Sequence, residues 1–134
     1  IDSGGPLFNN IGYVLPREGM HHKLNFAREG KFNIAFENGS RKGYATEKLL
    51  NSFYSNTVPI YWGCPNIGDF GYDERGIIRF NTPEELLEII NNLTPEKYNK
   101  MLPYIEYNYQ LVKQDTFENN ISQFFDSFIE LNSL

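Results

Sequence analysis

Residues 31–63 read KFNIAFENGSRKGYATEKLLNSFYSNTVPIYWG, and the hydrophobic pattern changes character along them. Phe32, Ile34 and Phe36 alternate with Lys31, Asn33 and Ala35, the period of two that predicts a strand over about 31–36. Leu49, Leu50, Phe53 and Tyr54 fall at helical spacing and predict a helix over about 46–54. TVPIYW is a short β-rich run with the length of a buried strand. Strands separated by a helix point to a parallel α/β sheet with helices on its faces. An open parallel sheet usually takes its ligand at the carboxyl ends of its strands, and ENGSRKGYATEK lies at that edge.

Working outward, His21 to Arg28 reads as a short helix stopped by Gly30. Residues 1–19, with Gly4-Gly5-Pro6, Gly12 and Pro16, read mostly as loop. Downstream, CPNIGDFGYDERG is rich in turn residues, and IIRF at 77–80 is a third short strand. Residues 20–80 thus form the α/β core and 81–134 a helical tail. Thr82-Pro83-Glu84-Glu85 predicts a helix start in which the Thr hydroxyl accepts an amide and Glu85 reaches back to the cap. Leu86, Leu87, Ile89, Ile90 and Leu93 are expected to supply its buried face. Thr94-Pro95-Glu96 starts a further helix, and Asp115 to Glu118 a last one with a stripe from Phe117 to Ile129.

At 134 residues the chain has room for one ordinary domain. With 40% hydrophobic and 22% charged residues it can bury a core, which excludes a disordered tail. Its 12 basic side chains against 17 acidic ones give a formal charge of −5, the wrong balance for a general nucleic-acid binder. Any anion must therefore meet a local site. Cys64 is the single cysteine, so an internal disulfide and a Cys-based zinc site are excluded. The chain has no initiator Met and opens inside a polar, Gly-rich phrase, which reads as a domain excised from a longer protein.

The loop at the sheet edge is the place for that anion. Gly39 and Gly43 relax the backbone, and Arg41, Lys42 and Lys48 lie close to a helix start with unpaired amides. The loop is neither a Walker A sequence nor a dinucleotide fingerprint. Two readings stand: a phosphate cradle, or an ordinary polar turn in which Lys48 is solvated and Glu47 favours the helix start. The adjacent His21-His22 reads as helix surface rather than a metal site, and Cys64, with no positioned His, as a packing residue rather than a nucleophile. Tyr61 and Trp62 read as packing residues at a strand end, with stacking on a base as the alternative.

KFNIAFEN followed by GYATEKLLNSFYSNTVPIYWG closely resembles the signature of the α1,3/4-fucosyltransferases of glycosyltransferase family 10. In that signature a strand and FEN are followed by a short spacer, Y-x-TEK, a helix and VPI-x-WG. Order and spacing match from Phe36 to Gly63, and the upstream GGPLFNNIGY is similar to bacterial members. The resemblance implies the Rossmann-like C-terminal half of a GT-B glycosyltransferase, inverting and metal-independent, with GDP-fucose as donor and no cofactor. It implies that Lys48 neutralises the diphosphate, that Glu47 accepts hydrogen bonds from donor hydroxyls, and that Asn38 and Tyr44 line the donor pocket.

The spacer GSRKG is more basic than in some bacterial members, which makes Arg41 and Lys42 candidates for additional phosphate contacts. The family's general base belongs to an N-terminal domain and its diphosphate-binding arginine lies upstream of GGPLFNNIGY, so no catalytic residue is expected in these 134 residues and the fragment alone is expected to be inactive. The implied acceptor is an N-acetylglucosamine-containing glycan, met through the other domain. Asn38-Gly39-Ser40 spells a glycosylation sequon on the donor loop, as Asn92-Leu93-Thr94 and Asn120-Ile121-Ser122 do elsewhere. Together with the single cysteine, the first favours a bacterial cytoplasmic enzyme working at the inner face of a membrane. The competing expectations are a GT-B transferase for another nucleotide sugar and a non-catalytic nucleotide- or glycan-binding module.

Overall fold

The computed structural model describes residues 2–3, 9–15 and 20–114. The expected helix from Asp115 lies outside the described residues. In chain order the elements are α1 (Met20–Arg28), β1 (Phe32–Phe36), α2 (Glu47–Tyr54), β2 (Val58–Trp62), β3 (Ile78–Arg79), α3 (Pro83–Asn91) and α4 (Pro95–Gln114). Two short 3₁₀ turns, Ile67–Phe70 and Glu74–Gly76, connect β2 to β3. The three strands form one parallel sheet in the order β1-β2-β3, with Phe32 opposite Val58, Phe36 opposite Trp62 and Ile60 opposite Ile78.

The parallel register puts the two sides of β1 in different surroundings. Asn33 and Ala35 face α2: Asn33 Nδ2 donates to Ser52 Oγ at 2.8 Å, and Ala35 packs with Leu49, Phe53 and Tyr61 in the core. Leu49, Phe53 and Tyr61 are fully buried, and burying side chains of this size stabilises by about 1.5–3 kcal/mol each. The opposite side is more open than the alternation suggests. Phe36 is 54% exposed and Ile34 37%, whereas Ala35 is the buried residue of the strand. The apolar rings on that side cover one another instead, Phe36 stacking on Trp62 at a centroid distance of 4.7 Å.

α4 packs against α2 and contributes the buried Ile105 and Val112. Its buried Asn108 pins the connection between β2 and β3: Asp73 N donates to Asn108 Oδ1 at 2.8 Å, and Asn108 Nδ2 donates to Asp73 O at 3.0 Å. Both backbone groups are satisfied by a single side chain, which is how an irregular segment tolerates burial. α3 departs from expectation. None of its residues is fully buried and Leu87 is 62% exposed, so its apolar stripe is only partly covered. Among the described residues no helix is long and apolar enough to cross a membrane.

Candidate functional site

The loop joining β1 to α2 is shaped by hydrogen bonds to the chain that follows β2. The ladder continues one step past β1, with Glu37 N donating to Trp62 O at 3.0 Å. Ser40 Oγ donates to Gly63 O at 2.8 Å, and Gly43 N donates to Asn66 Oδ1 at 2.9 Å. Between these ties, Tyr44 N donates to Arg41 O across a tight turn with Gly43 at a φ of 75°. A positive φ at the third position is what a type II turn demands, so Gly43 is there for its backbone. Lys42 stands exposed at the apex, and the Arg41 guanidinium lies 4.9 Å over the Tyr44 ring.

Below this rim is a group to which the sequence reading gave no role. Glu37 continues the α2-facing side of β1, two residues beyond Ala35, and is fully buried. Its Oε1 accepts from Thr46 N at 2.8 Å and its Oε2 from Thr46 Oγ1 at 2.6 Å. The Tyr61 hydroxyl donates to Oε1 at the longer distance of 3.5 Å and itself accepts from Cys64 N at 2.9 Å. Burial pushes the Tyr61 hydroxyl up to about 12, an effect that Cys64 N–H opposes and the nearby Glu37 reinforces. Tyr61 is therefore a neutral donor at any physiological pH. Gly63 is small for the same reason: a Cβ there would overlap Glu37 Cγ and stand 2.5 Å from the Tyr61 oxygen.

Glu37 changes what the start of α2 offers to a ligand. Thr46 is the N-cap, and the first amides of the helix are largely engaged: Thr46 N with Glu37, Lys48 N with Thr46 Oγ1 at 3.3 Å, and Leu49 N with Thr46 O at 3.2 Å. The helix end already holds a carboxyl from its own chain where a bare anion cradle would need free amides. What projects beyond it is the Lys48 ammonium, 3.7 Å from Glu37 Oε2, on a side chain that is 35% exposed. That separation exceeds a hydrogen bond, so the ammonium is attracted to Glu37 while its protons remain available to another acceptor.

The expected site residues thus share one loop and one helix turn. Asn38 is exposed at the end of β1, Tyr44 is half-buried beneath Arg41, Glu47 is exposed at the first position of α2, and Lys48 follows it. Polar side chains that accept and donate, with cations at the rim, suit a ligand carrying hydroxyls and phosphate. His21 and His22 are exposed on α1, and Cys64 is buried in the core. Tyr61 is wholly enclosed, so its ring has no face open to a base, while the half-buried Trp62 stacks on Phe36. Among the described residues no group of three or more His, Cys, Asp or Glu side chains is placed to hold a metal ion. A cavity of about 580 Å³ opens near the start of β1, among Phe26, Phe32, Ile34, Ile60, Ile90 and Leu93, and includes none of the loop residues.

Glu37, Gly63 and Asn66 escaped the sequence reading as parts of the site, and Tyr61 entered it only as packing or as a ring for a base. Alternation gave no signal for Glu37, because it shares the parity of Asn33 and Ala35 and not that of Phe32, Ile34 and Phe36; its burial appears only in the structure.

Known proteins resemble this chain over much of its length. The family model described as glycosyltransferase family 10 (fucosyltransferase) C-term matches residues 7–130. Alpha-(1,3)-fucosyltransferase FucT of Helicobacter pylori is 39% identical over 67 residues, covering 50% of this chain and 13% of that protein. A putative fucosyltransferase, R654, of Acanthamoeba polyphaga mimivirus is 38% identical over 136 residues, covering 91% of this chain and 22% of the relative. The chain therefore spans a small part of the length of these relatives. The crystal structure of an alpha1,3-fucosyltransferase with GDP superposes with a TM-score of 0.62 at 30% identity, covering 76% of this chain and 30% of that one. The structure of an alpha1,3-fucosyltransferase with GDP-fucose gives 0.61 at 30% identity, covering 75% of this chain and 30% of that one.

Proposed function

The chain belongs to glycosyltransferase family 10, the fucosyltransferases, and from that premise we propose that its β1–α2 loop binds the nucleotide-sugar donor, GDP-fucose, of a longer transferase. The observation that carries this reading is the placement of Lys48. Its ammonium stands at the mouth of α2, held near a buried carboxyl without a hydrogen bond to it, where a diphosphate gains a full positive charge. As the sugar–phosphate bond breaks, negative charge accumulates on the departing GDP, and a cation already in position stabilises that charge without reorganising. Lys48 performs this in place of a metal ion, with Arg41 and Lys42 as further contacts at the rim. Asn38 and Tyr44 line the sugar and diphosphate, and Glu47 accepts from ribose hydroxyls.

Transfer is a single displacement in which an acceptor hydroxyl attacks the anomeric carbon and the configuration inverts. The base that removes the hydroxyl proton, and the surface that selects an N-acetylglucosamine-containing acceptor, belong to the other domain of the longer enzyme. The 134 residues alone bind donor weakly and transfer nothing. Titrating the chain with GDP-fucose, GDP-mannose and UDP-glucose, followed by amide NMR and repeated with Lys48→Ala, tests this reading. Shifts across residues 37–48 for the two guanosine nucleotides, lost in the variant, are expected. An equal response to UDP-glucose points to another nucleotide sugar, and a folded chain with no response overturns the assignment of the loop.

A further inference from the structure

We propose that Glu37 is a positioning residue for Lys48: it anchors the first turn of α2 and orients the ammonium toward the place where phosphate binds. The inference rests on the donor reading above and adds a residue to it. Glu37 is fully buried, accepts both the amide and the hydroxyl of Thr46, and has the Lys48 ammonium 3.7 Å from Oε2. Its surroundings fit it closely, since Gly63 leaves room for its side chain and Tyr61 closes the remaining side. Packing alone does not account for a carboxyl here, because an apolar side chain would fill the space without having to be satisfied.

The geometry separates two tasks within one carboxyl. The short bonds to Thr46 fix the backbone from which Lys48 departs. The longer separation from the ammonium restricts a side chain with four rotatable bonds while leaving its protons for a ligand. Without Glu37, the ordering of Lys48 falls to the binding step, which weakens affinity. The opposing effect, repulsion between Glu37 and an incoming anion, is reduced because two Thr46 donors and the positive end of α2 face the carboxyl.

A double-mutant cycle on the full 134-residue chain tests this, using Glu37→Gln, Lys48→Met and the pair, with GDP and inorganic pyrophosphate as probes. Gln retains the shape and one carbonyl acceptor of Glu37 while removing its charge. Glu37→Gln is expected to weaken both probes about three- to tenfold when Lys48 is present and to change little when Met stands there. Equal weakening in both backgrounds, or none in either, overturns the proposal. A second readout needs no ligand: ¹³C relaxation at Lys48 Cε, expected to show greater mobility in Glu37→Gln at unchanged backbone order. Unchanged Cε mobility overturns the positioning role. If neither probe binds the wild-type chain while Cε still loosens, it is the donor reading that fails and the positioning role that stands.

Discussion

α2 and α3 both begin at a threonine whose hydroxyl accepts a backbone amide, yet the carboxyls that complete the two starts come from different places. At α3 it is Glu85, inside the helix: Glu85 N donates to Thr82 Oγ1 at 3.2 Å, and Glu85 Oε2 accepts from Asn81 N at 2.7 Å, all on the surface. The reach is one residue further back than a standard capping box, which returns to the cap itself. At α2 it is Glu37, nine residues before the cap and on a different element, wholly buried. The first device starts a helix and does nothing more. The second joins a strand, a loop and a helix at one point and leaves a lysine at the rim, which is what a binding site requires.

The difference is largest when the carboxyl is removed. Glu37→Ala strips two hydrogen bonds from Thr46 and leaves a cavity beside Tyr61, and should destabilise the fold by about 3 kcal/mol in chemical denaturation. Glu85→Ala should lower stability by about 0.5 kcal/mol, because water replaces it. Crowding the buried device from outside is the next test: Gly63→Ala should cost about 2 kcal/mol and perturb the Thr46 amide resonance, since the new methyl overlaps Glu37. The two caps themselves should then differ, with Thr46→Ala costing about 2 kcal/mol and Thr82→Ala about 1 kcal/mol, because only Thr46 also donates to a buried carboxyl.

A further effect is confined to alkaline solution. Tyr61 has a folded-state pKa of about 12 against an ordinary 10.0, so the folded chain keeps a proton that the unfolded chain releases. Stability is full below about pH 10, falls by on the order of 1 kcal/mol per pH unit between about 10 and 12, and levels off above. Tyr61→Phe removes that contribution, and the difference between the two denaturation profiles across this range measures it. The α3 start, which has no such neighbour, should leave no corresponding signature when Thr82 is replaced.

The same contrast explains what could be read from the chain beforehand. The starts of α3 and α4 were legible because Thr82, Pro83 and Glu85, and likewise Thr94 and Pro95, sit within one helical turn of each other. The alternation of strand and helix was legible from Phe32 to Trp62 for a similar reason. Periodicity did not show which side of an element would be covered: it assigned Leu87 to a buried face, yet Leu87 is 62% exposed, and it left open that Phe36 is exposed while Ala35 is buried. That depends on what packs against the element, and the neighbours are distant in sequence. Lys48 was legible as a cation beside a helix start expected to be bare, whereas the donor roles of Lys48, Glu47, Asn38 and Tyr44 came from a family resemblance. The carboxyl of Glu37, the space left at Gly63 and the tie from Gly43 to Asn66 depend on side chains 9 to 26 residues apart meeting in space, which no local pattern reports.

The most direct test is to follow both helix starts in one ¹H–¹⁵N NMR titration with GDP, comparing the wild-type chain with Lys48→Met. The account predicts shifts at Glu47, Lys48 and Tyr44 that saturate and vanish in the variant, while Glu84 and Glu85 at the start of α3 stay still. Shifts of equal size at both helix starts, or shifts at the first that survive Lys48→Met, would contradict it, because GDP would then be responding to helix ends in general and not to the site that Lys48 completes.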